Sequence, residues 1–151
     1  FFSRYCVRLH REHLLAGKEK IAYADLKGAR IVSKGRAYRC FRHNIDRYIL
    51  LPGIQVDLVA ETADEMLITD MILQHQAINL GYDYAAVLNL HPDIVVKVLD
   101  TADELGQTVY LVWDKTTVLT QASQKFRAFL LEWLSQNGKD KVVLDCSIVE
   151  G

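Results

Sequence analysis

Short runs of β-forming apolar residues alternate along this chain with stretches whose apolar residues recur at helical spacing. That alternation restricts the fold more than any single residue does, because each period buries a different kind of face. Residues 4–9 alternate as a strand, and residues 29–33 form a second, short apolar strand. Between them lie a charged turn over 10–20 and a small helical or turn segment over 23–26, which ends in Lys27-Gly28. Tyr38, Phe41, Ile45, Tyr48 and Ile49 fall at helical spacing, with Arg39, Arg42, His43 and Arg47 between them. This predicts an amphipathic helix over 38–50, stopped by Pro52-Gly53. Residues 54–60 alternate as a third strand. Thr62-Ala63-Asp64-Glu65 reads as a capping box, with the Thr62 hydroxyl accepting the Glu65 N–H. A helix follows to about His75, with Met66, Leu67, Met71 and Ile72 inward. Residues 77–80 read as a buried strand closed by Gly81, 82–90 as a short helix broken by His91-Pro92, and 94–99 as a strand. A polar loop over 101–106 precedes a strongly β-forming run, 108–113. From Thr120 a long helix carries Phe126, Phe129, Leu130, Trp133 and Leu134 on one face, and Asn137-Gly138 caps it. Strands alternating with helices predict an α/β unit with a largely parallel sheet of about four or five strands.

The length, 151 residues, suits one domain. Cys6, Cys40 and Cys146 are odd in number and far apart, and no C-x-x-C spacing occurs. They read as packed or free thiols in a reducing compartment. No apolar run is long enough to span a membrane and no signal peptide is recognisable, so no membrane partner is expected and the expected location is cytoplasmic. The chain opens on Phe1-Phe2, and is expected to be a fragment or a processed product. A formal net charge of −1 hides an asymmetry. Residues 1–48 hold 12 Lys and Arg against 4 Asp and Glu, whereas residues 49–151 hold 6 against 15. Such a split can mark a surface for an anionic partner. The basic residues are scattered, however, and no aromatic residues interleave with them as a nucleic-acid platform requires. A solvated face is the simpler reading.

His13-Leu14-Leu15-Ala16, then Ile21, then Asp25-Leu26, then the strand Arg30-Ile31-Val32 resemble a pattern in the effector-binding domain of LysR-type transcriptional regulators. Leu14 stands where that family usually has proline. The order of elements from Tyr5 to Gln136 is similar to the later part of that domain. Residues 107–113 resemble its "v-y-L-v" strand, and residues 126–133 its last helix, "F-x-x-F-L". The family segment "V-x-x-G-x-G-i-x-x-l-P" falls on residues 72–83, where Gln76, Ile78 and Asp83 replace the two glycines and the proline. Nothing resembles the family's winged helix-turn-helix or the opening strands of its first lobe. The resemblance implies an α/β fold like a periplasmic binding protein: two lobes, two crossover strands and a ligand cleft between the lobes. On it, residues 1–138 are a partial, N-terminally truncated effector-binding domain and 139–151 a tail. The second lobe covers about 22–105, the crossover strands 4–9 and 107–113, and the last helix 120–137.

Ser33-Lys34-Gly35-Arg36 lies between a predicted strand and a predicted helix. In open α/β sheets, ligands sit at such strand ends. Lys34 and Arg36 add positive charge and Gly35 permits close backbone approach, so the loop through Tyr38 suits a carboxylate or phosphate. The family's second-lobe effector contacts lie in the corresponding loop, so the resemblance implies the same place. Thr62 lies at the equivalent mouth one unit later, as a helix cap or a ligand contact. The expected effector-binding set is therefore Ser33, Lys34, Gly35, Arg36, Tyr38 and Thr62. His13, His43, His75 and His91 do not recur at metal-ligand spacing, so neither a metal site nor a cofactor is expected. Cys40 sits among Arg39, Arg42 and His43, which favours a thiolate, but it adjoins Phe41 on a packed helix and reads as structural. No nucleophile elbow, phosphate loop or paired carboxylates appear, so no enzyme is expected.

The expected function is a small-molecule binding regulatory domain that acts on a DNA-binding domain outside this chain, and that self-associates. A stand-alone solute-binding module of similar fold is the alternative, and an α/β enzyme fragment a weaker one.

Overall fold

The computed structural model describes residues 2–35, 37–83, 91–100, 106–114 and 116–137. Arg36, the expected helix over 84–90, most of the expected loop over 101–106, the Gly138 cap and the tail over 139–151 lie outside the described residues. The chain divides into two compact units, one of residues 3–107 and one of residues 1–2 with 108–151.

The larger unit is built on a mixed sheet ordered β2-β6-β1-β5-β3-β4, with β7 beside β1. Its strands are β1 (Phe2–His10), β2 (Ile21–Ala22), β3 (Arg30–Ser33), β4 (Asp57–Glu61), β5 (Ile78–Tyr82), β6 (Ile94–Asp100) and β7 (Gly106–Thr108). β3 runs parallel to β4 and β5, and β2 parallel to β6. β1 runs antiparallel to both β5 and β6. The α/β class expected from the alternation holds, but among the described residues the sheet has seven strands, and it is mixed because β1 enters its middle in the opposite sense.

Residue period decides what each face of the sheet buries. Tyr5, Val7 and Leu9 of β1 join Ile31, Ile78, Leu80 and Tyr82 in one core cluster. That cluster is covered by α1 (Arg39–Ile45) and the π-helical turn Asp46–Leu50, through Phe41, Ile45 and Ile49. Val32, one residue on from Ile31, faces the other way, into a smaller cluster with Ile68 and Ile72 of α2 (Glu65–Leu73). Cys6 is fully buried, and desolvation pushes its thiol up to about 12, which makes it inert. Tyr38 stands at the N-cap of α1 and is half exposed, whereas the helical pattern placed it inward.

The resembling stretch has a physical account. His13 and Ala16 close turns on backbone bonds, and Leu15 is buried while Leu14 points into solvent. An exposed turn position needs no particular apolar side chain, which is why leucine can stand there. Asp25, in the 3₁₀ turn Tyr23–Leu26, accepts the Ala22 N–H at 2.9 Å and the Lys18 ammonium at 2.6 Å. Leu26 plugs the core.

Three element readings need correction. Thr62 is not the N-cap of α2: Asp64 is, its carboxylate accepting the N–H groups of Met66 and Leu67. Thr62 Oγ1 accepts the Asp64 N–H at 3.0 Å and shapes the approach to the helix. Ile72 is buried and Met71 packs beside it, as the pattern placed them, but Met66 is 79 % exposed, Leu67 is half exposed and Ile68 is buried in their stead. Gly81 does not end its strand but pairs with Cys6 inside it. Strand pairing over 108–113 stops at Thr108.

The smaller unit holds α3 (Gln121–Asn137) and the segment before it. Thr120 opens the helix, its hydroxyl accepting the Ser123 N–H. The Arg127 guanidinium lies over the Trp113 ring at 4.9 Å.

Candidate functional site

The loops after β3 and β4 meet at one edge of the sheet. β3 and β4 are parallel and adjacent, so their C-terminal ends, Ser33 and Glu61, stand side by side. The Thr62 N–H donates to the Ser33 carbonyl at 2.9 Å and joins the two loops. Gly35 has φ +87°, and a Cβ there would lie 2.9 Å from Glu61 Cβ. Glycine is required at this position for both its backbone angle and its contact.

Of the six expected residues, the structure brings together Ser33, Lys34, Gly35, Tyr38 and Thr62; Arg36 lies outside the described residues. Their roles differ. Ser33 is fully buried, and its Oγ accepts the Gly35 N–H at 3.1 Å, so it shapes the loop. Tyr38 bends the loop back by donating its N–H to the Gly35 carbonyl. Its ring is exposed at the mouth.

Sequence reasoning missed the charge network behind Lys34. Glu65, in the first turn of α2, receives Lys34 Nζ at 3.0 Å and Arg8 Nη2 at 2.9 Å. Arg8 Nε also donates to Asn79 Oδ1 at 2.9 Å, and the Asn79 amide donates to the Val32 carbonyl. Arg8 and Asn79 are cross-strand partners in β1 and β5, which is what aligns them. Burial pushes the Glu65 carboxyl up, but the hydrogen bonds and charge of Lys34 and Arg8 outweigh it and hold the group below its ordinary value. Two cations share one carboxylate, so this group carries one net positive charge. The signal in the sequence was faint, because alternation puts Arg8 on the face opposite Tyr5, Val7 and Leu9, where a charge reads as solvated.

Elsewhere, an open groove of about 430 Å³ lies over Arg39, Arg42, His43, Asp46, Arg47 and Leu51, on the outer side of α1. A third grouping was hidden by sequence distance. His10, Glu12 and His75 each offer a ligand atom within 4.8 Å of the others, although spacing alone gave no metal set.

The family model for the LysR substrate binding domain matches residues 2–135. Solved structures of low identity share the fold. The effector binding domain of QuiR in complex with shikimate superposes with a TM-score of 0.65 at 16 % identity, covering 90 % of this chain and 63 % of that one. The Synechocystis PCC6803 CcmR regulatory domain in complex with 2-PG gives 0.63 at 16 %, covering 91 % and 65 %. HinK, a LysR family transcriptional regulator from Pseudomonas aeruginosa, gives 0.63 at 17 %, covering 88 % and 45 %. The chain thus spans about half to two thirds of the length of these structures. A comparison with curated proteins finds no match. Among the described residues no helix is long and apolar enough to cross a membrane. The match over residues 2–135, on a mixed sheet whose β3 and β4 loops meet at one edge, places this chain in the LysR substrate binding domain family.

Proposed function

We propose that this chain is the small-molecule effector-binding part of a LysR-type transcriptional regulator, working in the cytoplasm and acting on DNA only through a DNA-binding domain. Residues 22–105 serve as its second lobe, 4–9 and 107–113 as crossover segments, and 120–137 as the last helix. The family supports a regulatory rather than a catalytic role. The observation that carries the reading is the pair of loops after β3 and β4, joined through Ser33 and Thr62 at one sheet edge. Ligands of open α/β sheets sit at such edges.

The effector is anionic on this reading. Lys34 is the cation an incoming carboxylate or phosphate would take, in competition with Glu65. Tyr38 and Thr62 supply hydroxyls to it, Gly35 holds the left-handed turn of the loop, and the sequence adds Arg36 as a further cation. That two solved structures of similar fold hold shikimate and 2-PG supports a small-molecule ligand. Calorimetric titration with a panel of carboxylates and phosphates tests it. Lys34→Ala, Arg36→Ala and Thr62→Ala should each weaken binding of the effector found. Unchanged affinity in all three would move the site elsewhere, toward residues 76–83.

A further inference from the structure

The fold gathers a second set of donors away from the loops just described, within the larger unit. His10 ends β1, Glu12 lies in the turn that follows, and His75 lies in the turn between α2 and β5. β1 and β5 are antiparallel neighbours, so the end of β1 comes level with the turn that leads into β5. The His10 and His75 rings stand 4.0 Å apart, centroid to centroid, tilted by 51°. Glu12 Oε2 lies 3.9 Å from His10 Nδ1 and 3.9 Å from His75 Nε2.

These distances are too long for hydrogen bonds, so the carboxylate converges on both imidazoles without bonding to either. They do suit a shared ion. Donors bound to zinc at 2.0–2.1 Å sit about 3.3 Å apart at the tetrahedral angle, so Glu12 needs to close on each imidazole by about half an ångström, and the two imidazole donors, within 4.8 Å of each other, close with it. Glu12 and His75 are exposed and free to make that adjustment. His10 Nδ1 accepts the Glu12 N–H at 3.2 Å, which aims the ring at the turn; an ion bound through Nδ1 would replace that long bond. His75 has φ +57°, the one non-glycine residue with positive φ among those described. That backbone turn presents the imidazole toward His10. A cavity of about 250 Å³ lined in part by His10 and His75 leaves room for solvent on the ion.

We propose that His10, Glu12 and His75 form a three-ligand site for a divalent ion of the zinc class. Two imidazoles and a carboxylate match the preference of zinc, cobalt and nickel over magnesium or calcium, and leave a coordination position for water. The ion would tie the turn after β1 to the turn that ends α2.

Calorimetric titration of the chain with zinc chloride in excess magnesium tests the site. We expect one zinc ion per chain, and binding weakened by about tenfold or more in both His75→Asn and Glu12→Gln, the scale on which loss of groups around a metal weakens its binding. Asparagine tolerates the same backbone angle, and both positions are exposed, so circular dichroism should show both variants folded. His43→Ala and His91→Ala should bind zinc as the parent does. No zinc binding above the magnesium background would overturn the proposal. So would binding that survives either His75→Asn or Glu12→Gln, or binding lost instead in a control variant.

Discussion

Glycine and histidine are placed at positive φ here for opposite reasons, and substitution separates them. At Gly35, alanine meets both a strained backbone and Glu61 Cβ at 2.9 Å. We expect Gly35→Ala to cost about 2 kcal/mol, the strain of a left-handed L-residue plus the displaced contact, read by urea unfolding. At His75 the strain is already present, so His75→Gly should stabilise the metal-free chain by about 0.5–1 kcal/mol in the same measurement. Glu65 carries the pH dependence. Its carboxyl lies below its ordinary 4.5 in the fold, because Lys34 and Arg8 outweigh its burial. The unfolded chain therefore binds the proton more readily. The contribution of Glu65 is fully present above about pH 4.5 and is lost as pH falls through the folded value. Solvent screens a half-exposed carboxylate, so the loss is about 1 kcal/mol or less. Glu65→Gln should remove that part of the acid sensitivity, which acid titration of the unfolding midpoint will show.

Elements were legible where period and burial agree. β1, β3, β6, α1 and the last helix fall within a few residues of the reading from pattern alone. Pattern failed where two signals competed. Thr62 and Asp64 both precede α2 and both can accept an N–H; the carboxylate reaches two of them and takes the cap. Ile54 and Val56 alternate with β4 and pack against the core, yet strand pairing begins only at Asp57. Alternation reports a buried face, and pairing needs a neighbour. The same distinction explains residues 109–113, whose β-forming side chains extend no ladder past Thr108. In α3, Phe126 and Phe129 are 61 % and 62 % exposed and Trp133 is 44 % exposed. So much aromatic surface on one helix favours a cover. We expect sedimentation to show self-association that Phe126→Glu with Phe129→Glu abolishes; a monomer at high concentration would contradict it.

At the scale of the molecule, at least half of the basic residues behind the charge asymmetry that pointed to an anionic partner are paired within the chain. Arg4 pairs with Asp83, Arg8 and Lys34 with Glu65, Arg11 with Asp93, Lys20 with Asp100 and Arg30 with Asp57. The basic N-terminal part folds onto the acidic remainder, and sequence counts cannot distinguish that from an open surface. The candidate effector loop was legible because strand, glycine and cation are contiguous in sequence. The Arg8–Glu65 network and the His10–Glu12–His75 cluster were not, because adjacent antiparallel strands bring together residues more than fifty positions apart. The most direct test of the central claim is amide chemical-shift mapping of the chain with a bound carboxylate or phosphate effector. The account predicts the largest shifts over residues 33–38 and at Thr62, with smaller ones at Glu65 as Lys34 changes partner. Shifts centred on residues 76–83, or on the outer face of α1, with residues 33–38 and Thr62 unmoved, would contradict it.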